Sequence, residues 1–180
     1  MMVSLFTRNR VIGLGIGALV LALDQFAKWL VLVPLDLRRQ ASGAIELLPF
    51  FDLRYTENRG ISLGLLEATS EEMRWILVGM TALIALVVLV WMLRERLLGD
   101  IFGLGMILGG ALGNIYDRYT YGYVVDYADL HIGDFRPFLI FNIADAAITI
   151  GVVIVLARSL LLGDDARQDV NDPDTRVQES

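Results

Sequence analysis

Four long apolar stretches separated by polar segments dominate the chain and predict four membrane-spanning helices. We place these spans at about residues 11–33, 75–93, 98–117 and 138–160. A bilayer core of about 30 Å requires about 20 apolar residues per helix, a length that these stretches reach or approach. An even number of spans puts both chain ends on one side of the membrane.

The segment between the first two spans, residues 34–74, contains a predicted strand. Residues 51–56 alternate apolar and polar side chains with a period of two, and Asn58-Arg59-Gly60 predicts a turn after them. The fold class expected for residues 1–162 is therefore an all-α membrane protein: four transmembrane helices with a small extracytoplasmic β element. Residues 163–180 hold six acids, two arginines and no aromatic residue, so they are predicted to form an acidic, disordered cytoplasmic tail.

Arginines set the predicted orientation. Arg8 and Arg10 precede the first span, and Arg94 and Arg96 lie between the second and third. The positive-inside bias therefore favours both termini in the cytoplasm.

Composition agrees with a membrane protein and removes several chemistries. The chain is 56% hydrophobic and 20% charged, with no cysteine and one histidine. Without cysteine there is no disulfide framework, thiolate zinc site or cysteine nucleophile. No basic cluster is present to meet nucleic-acid phosphates. His131 has no matched partner in the sequence and is predicted to be a surface loop residue.

Two features of the spans are predicted to serve the helical bundle. Gly105, Gly109 and Gly113 recur every four residues, a spacing that lets helices approach closely. Asp24 and Lys28 lie four residues apart inside the first span, in the favourable order for an ion pair. A carboxylate at this depth is expected to face the bundle interior, either as a purely structural pair or with a direct role.

Three further aspartates are predicted to meet near one membrane surface. Asn114-x-x-Asp117 closes the third span, and Asn142-x-x-Asp145 lies near the start of the fourth, at the same surface. Each pattern is expected to put an amide one helical turn before a carboxylate. With the fourth span beginning at residue 138, the second carboxylate should lie about 10 Å down its helix. Asp126 lies between the two motifs in an apolar, β-prone stretch.

Two carboxylates held close together cannot both ionise cheaply, so one keeps a proton. That arrangement is the one used by aspartic proteases. Arg118 directly follows Asp117 and is its predicted counter-charge, whereas Asp126 has apolar neighbours that suit a raised pKa. The chemistry favours Asp126 with Asp145 as the pair. Asp117 with Asp145, or a purely structural polar network, are the alternatives.

Five short segments occur in a fixed order between residues 24 and 145. They are DQFAK at 24–28, NRGISLG at 58–64, GGALGNIYDR at 109–118, VVDY at 124–127 and FNIAD at 141–145. In this order and at these spacings, on a four-span frame, they resemble the lipoprotein signal peptidases, also called signal peptidase II.

The resemblance implies a bacterial inner-membrane aspartic endopeptidase. Such an enzyme cleaves the signal peptide of a prolipoprotein just before a cysteine that carries diacylglycerol, without a cofactor, a metal or a covalent intermediate. The catalytic pair it implies is Asp126 and Asp145. The residues that it implies bind substrate or support the pair are Asn58, Gly60, Asn114, Arg118 and Asn142. Those that it implies give structural polar support are Asp24, Lys28 and Asp117.

The resemblance also implies partners: prolipoprotein substrates, membrane lipids and cyclic peptide inhibitors of the globomycin type, with no nucleic acid. The site would lie near the periplasmic face. Three features depart from the family pattern: Leu63 and Tyr127 stand where phenylalanine is usual, and the tail is acidic where many members end in lysines. The first two concern the shape of the pocket rather than its chemistry.

Three rival functions use the same residues differently. An ion-coupled transporter would use the buried aspartates and Lys28 as a proton relay. A non-catalytic assembly protein would use the glycine faces to bind partner helices, and its aspartates would be dispensable. A divalent-metal site would use Asp117, Asp126 and Asp145 as ligands, and its activity would be lost with a chelator.

Overall fold

A computed structural model describes residues 7–40, 42–60 and 70–161. Four helices within these ranges are long and apolar enough to cross a membrane. They are α1 (Arg8–Leu32), α2 (Glu71–Arg94), α3 (Leu98–Thr120) and α4 (Ile143–Leu161). The predicted fold class, four helices with a small β element, is confirmed. The predicted acidic tail and residues 61–64 of the second motif lie outside the described residues.

Helix α3 occupies the centre of the bundle and packs against the other three helices. Glycines permit this close packing. A Cβ added to Gly109 would meet the carbonyl of Gly17 and come within 2.8 Å of the Cβ of Val20. The packing role predicted for the glycines of the third span is therefore confirmed.

A three-stranded antiparallel sheet, in the order β1-β2-β3, lies at one end of the bundle. Its strands are β1 (Ile45–Leu48), β2 (Phe51–Asn58) and β3 (Val124–Leu130). The strand predicted at residues 51–56 is confirmed and extends to Asn58. The sheet packs on the end of α1 through an apolar cluster, whose buried members are Val31, Leu37, Val125, Tyr127 and Ala128.

The fourth helix begins at Ile143, so the start predicted at residue 138 is wrong. Phe141 instead pairs with Ala128: each backbone N–H donates to the carbonyl of the other residue, at 3.1 and 2.8 Å. The backbone N–H and carbonyl of Phe141 are therefore hydrogen-bonded to β3 rather than within a helix. Asp145 therefore lies in the first turn of α4, not about 10 Å down the helix.

Candidate active site

Asp126 lies on β3 and is held by two amides from different parts of the chain. The Nδ2 of Asn142 donates to its Oδ1 at 2.7 Å, and the Nδ2 of Asn58 donates to its Oδ2 at 3.0 Å. The residue is only 2% exposed. Both carboxyl oxygens are therefore fixed in direction by neutral donors.

Asp145 faces the same group of amides from the first turn of α4. The Nδ2 of Asn114, on α3, donates to Asp145 Oδ1 at 2.8 Å. The Oδ1 of Asn142 accepts the backbone N–H of Asp145 at 2.9 Å. Asn142 thus contacts both aspartates, through its amide nitrogen on one side and its amide oxygen on the other.

Asn142 directly precedes α4 and acts as its N-cap, because it accepts the N–H three residues further on. The second Asn-x-x-Asp motif is therefore a helix cap, which corrects its interpretation as an amide and a carboxylate one turn apart within a helix. The first motif, Asn114 to Asp117, does lie within a helix as predicted.

Burial, followed by the charge of Asp145, raises the pKa of Asp126 from an ordinary value of 3.8 to about 7. The hydrogen bonds from Asn58 and Asn142 oppose the shift, because they stabilise the ionised form. A carboxyl of this kind can hold a proton at neutral pH beside an ionised neighbour. The arrangement can therefore perform paired acid and base chemistry.

Behind the pair, Lys28 lies between two buried carboxylates. Its Nζ is 2.7 Å from Asp24 Oδ2 and 2.8 Å from Asp117 Oδ2. The predicted pair of Asp24 with Lys28 is confirmed. The predicted counter-charge of Asp117 is wrong: the ion-pair partner is Lys28, brought close by the packing of α1 against α3, and Arg118 points elsewhere.

Arg118 joins the end of α3 to the turn after β2. Its Nη2 donates to the carbonyl of Gly60 at 2.9 Å, and its Nη1 lies 3.5 Å from the carbonyl of Asn114. The N–H of Gly60 donates in turn to Asn58 Oδ1 at 3.2 Å. The guanidinium thus fixes the turn that aims the amide of Asn58 at Asp126.

A cleft of about 340 Å³ opens beside the pair. Its lining combines polar residues of the site with apolar ones: Asn58, Leu139, Ile140, Phe141, Asp145, Ile148 and Thr149. Of the lining residues on α4, Thr149 is exposed, so the cleft is open along part of this helix.

The sequence alone did not indicate one contributor to the site, Gln25, or one contact elsewhere in the sheet, that of His131. Gln25 joins the two carboxylates that flank Lys28, because its Nε2 donates to Asp24 Oδ2 at 3.1 Å and to Asp117 Oδ1 at 2.9 Å. We call these four residues, Asp24, Gln25, Lys28 and Asp117, the support network. His131 has a partner after all: its Nε2 lies 3.2 Å from Asp52 Oδ2, and its side chain is 15% exposed. Asp52 and His131 lie at the same end of the sheet because β2 and β3 pair antiparallel, and no local pattern shows this contact.

All ten residues predicted for the site fall in the described ranges, and the structure brings them into one connected network. Within those ranges, no group of three or more His, Cys, Asp or Glu residues is placed to hold a metal ion.

Comparisons with known proteins agree with the geometry. The family model described as Signal peptidase (SPase) II matches residues 16–161. A lipoprotein signal peptidase of Sphingopyxis alaskensis is 55% identical over 156 residues, covering 87% of this chain and 89% of its own. One from Rhizorhabdus wittichii is 53% identical, covering 86% and 88%. A solved bacterial membrane enzyme is similar in fold, with a TM-score of 0.68, 28% identity and coverage of 83% of this chain and 92% of its own.

Proposed function

The chain belongs to the signal peptidase II family of lipoprotein signal peptidases, and from that membership we propose that Asp126 and Asp145 form its catalytic pair. The family consists of bacterial membrane peptidases that cleave the signal peptides of lipoproteins. The observation that carries the proposal is the double contact of Asn142, whose single amide binds the carboxyl group of Asp126 and the backbone N–H of Asp145.

In the proposed reaction, the two aspartates activate one water. Ionised Asp145, which accepts a hydrogen bond from Asn114, takes a proton from the water while the water oxygen attacks the scissile carbonyl carbon. Protonated Asp126 gives its proton to the carbonyl oxygen, in keeping with its raised pKa. The tetrahedral intermediate then collapses: the C–N bond breaks, Asp145 protonates the leaving amine, and Asp126 recovers its proton. No acyl-enzyme forms.

The substrate that fits this site is a prolipoprotein whose signal peptide is still in the bilayer. The cleft beside Asp145 is lined by Ile148 and Thr149 of α4, a helix long and apolar enough to cross a membrane. The signal peptide would enter laterally there, with cleavage just before a cysteine that carries diacylglycerol. The acyl chains would stay among membrane lipids.

Positive charge supports an orientation with both termini in the cytoplasm. Arg94 ends α2 and Arg96 lies between α2 and α3, at the end of the bundle opposite the sheet, and Arg8 and Arg10 lie in the first turn of α1 at that end. By the positive-inside bias this end faces the cytoplasm. The sheet and catalytic pair would then lie at the periplasmic face of the inner membrane.

Cyclic peptide antibiotics of the globomycin type are the inhibitors proposed for the same cleft. A rigid cyclic backbone offers carbonyl groups to donors such as Asn58 and Arg118 while its apolar side chains face the lining from α4. Inhibition should therefore be competitive with the prolipoprotein.

A cleavage assay on a diacylglyceryl-modified prolipopeptide tests the proposal. Asp126→Asn and Asp145→Asn should each reduce turnover by at least about 10³-fold, since each removes one role in the reaction. Glu46→Gln, a neutralising change at an exposed residue of β1, is the matched control and should leave turnover unchanged. Turnover by either aspartate variant at the wild-type rate would refute the pair. Activity that persists with a chelator would separate it from a metal site.

A further inference from the structure

The sheet exposes large apolar side chains at the end remote from the turn at Asn58. Ile132 is 73% exposed, Phe135 65% and Phe50 52%. Three neighbours, Leu47, Leu48 and Phe138, are also about half exposed or more. We call these six residues the apolar rim.

The rim comes from two chain segments that lie side by side: the end of β1 with its turn into β2, and the loop after β3. Phe51 pairs with Leu130 across β2 and β3, so the β1–β2 turn lies beside the end of β3. The backbone N–H of His131 donates to the carbonyl of Phe50 at 3.0 Å and joins the two segments directly. The loop after β3 folds back on itself through a bridge between Ile132 and Phe135.

The rim end of the sheet reaches down beside α4. Leu130 and Phe138 line a cleft of about 320 Å³ together with Thr149 and Ile150. This cleft adjoins the one beside the pair, because Asp145 lines both. Ile150 lies seven residues after the start of α4, which is about 10 Å along the helix axis. The lower part of the rim is thus level with a section of α4 about two turns beyond its start, and Ile150 itself is 50% exposed.

Two half-exposed arginines border the rim. The Nε of Arg136 lies 3.1 Å from Asp129 Oδ2, and the Nε of Arg54 lies 3.3 Å from the same oxygen. Both arginine side chains are 42% exposed, whereas Asp129 is buried. One carboxylate does not use all the donors of two guanidinium groups, so N–H groups are left for phosphate oxygens.

We infer that the apolar rim inserts into the lipid leaflet at the sheet end of the bundle, with Arg54 and Arg136 at the level of the phosphate headgroups. The occupant of this surface is lipid, because the rim continues the exposed apolar face of α4. Insertion holds the sheet, and with it Asp126, down against the membrane surface. An apolar surface bordered by cations is typical of elements that lie in a bilayer interface.

Because the chain has no cysteine, single cysteine variants of the full protein can carry a nitroxide label at one chosen site. Labels at Phe135→Cys and Phe50→Cys are compared with Arg39→Cys, whose side chain is 86% exposed near the same end of the bundle. Each variant is placed in phosphatidylcholine nanodiscs. Collision rates are then measured with oxygen, which concentrates in lipid, and with a water-soluble nickel chelate.

At Phe135 and Phe50 we expect oxygen collisions to exceed nickel collisions by at least about threefold, with the ratio reversed at Arg39. Nickel access at Phe135 equal to that at Arg39 would overturn the inference. So would low access to both reagents with spin coupling between chains, because a second copy would then cover the rim. The experiment measures the depth of the label in the membrane, so its result does not depend on whether Asp126 and Asp145 are the catalytic pair. Two label sites keep the test informative if one variant fails to fold.

Discussion

Asp117 accepts the backbone N–H of Val125 at 3.0 Å, directly before Asp126 in the chain. Asp24 makes the equivalent contact on the other side of the site: its Oδ1 accepts the N–H of Ala144 at 3.0 Å, directly before the second aspartate of the pair. The support network therefore positions the backbone on both sides of the proposed catalytic pair, and it does so without touching either carboxyl group of that pair.

Lys28 holds the two supporting carboxylates together, so Lys28→Met should destabilise the protein. The substitution leaves Asp24 and Asp117 buried without their cation, and breaking a buried ion pair by removing one partner costs about 3–5 kcal/mol. Turnover should also fall, because both backbone contacts loosen. Unfolding by denaturant in micelles and cleavage of a prolipopeptide measure the two effects.

A triple variant, Lys28→Met with Asp24→Asn and Asp117→Asn, serves as the control. It removes the uncompensated charges and should recover a large part of the lost stability while keeping acceptor oxygens for the two backbone N–H groups. Wild-type stability in Lys28→Met alone would contradict the role assigned to the ammonium group.

Asp126 should make stability depend on pH. Its folded-state pKa, about 7, lies above its unfolded value, so the folded protein binds the extra proton between about pH 4 and pH 7. The stabilisation is present below the unfolded pKa and is lost as pH rises through 7, by at most about 4 kcal/mol. Asp126→Asn should therefore be more stable relative to wild type at pH 8 than at pH 5, as shown by unfolding midpoints at both values.

The difference between variant and wild type isolates this one group from the other titrating residues. Glu46→Gln, at an exposed position of β1, should show no such change between the two pH values. A gap between Asp126→Asn and wild type that is the same at pH 5 and pH 8 would rule out the raised pKa.

Much of the fold and site could be predicted, because the signals were local. Four apolar stretches predict four helices, and the spacing of Asp24 and Lys28 predicts an ion pair one turn apart. The aspartates could be singled out because buried carboxyl groups are costly in an apolar chain and must find partners. Asn58, Gly60 and Arg118 were indicated only by the resemblance to a known family.

The errors concern contacts between distant segments. The start of α4 shifts to Ile143 because Phe141 bonds to Ala128, thirteen residues earlier. The partner of Asp117 is Lys28, on another helix, rather than its neighbour in sequence. Periodicity reports the local period of a segment and not what will pack beside it.

Asn142 has two separable roles, and two substitutions distinguish them. Asn142→Ala removes both the N-cap of α4 and the donor to Asp126, so stability should fall by about 0.5–2 kcal/mol along with turnover. Asn142→Ser keeps an oxygen that can cap the helix, but its side chain is too short to reach the carboxyl of Asp126. It should retain most of the stability and still lose turnover.

Denaturant unfolding and prolipopeptide cleavage, measured on the same preparations, compare the two variants with wild type. Equal turnover by Asn142→Ser and wild type would show that the bond to Asp126 is unimportant.

Close packing of α3 against α1 requires glycine at residue 109. In Gly109→Ala the new Cβ would meet the carbonyl of Gly17 and lie 2.8 Å from the Cβ of Val20, so the helices must separate. Overpacking of this kind costs about 1–3 kcal/mol, and the shift should also move the carboxylates that α1 and α3 contribute to the support network.

Gly15→Ala is the matched control: its Cβ meets nothing within 4 Å, and stability should stay the same or rise by up to about 1 kcal/mol. Thermal unfolding in micelles compares the two, and equal effects at both glycines would contradict the close contact between these helices.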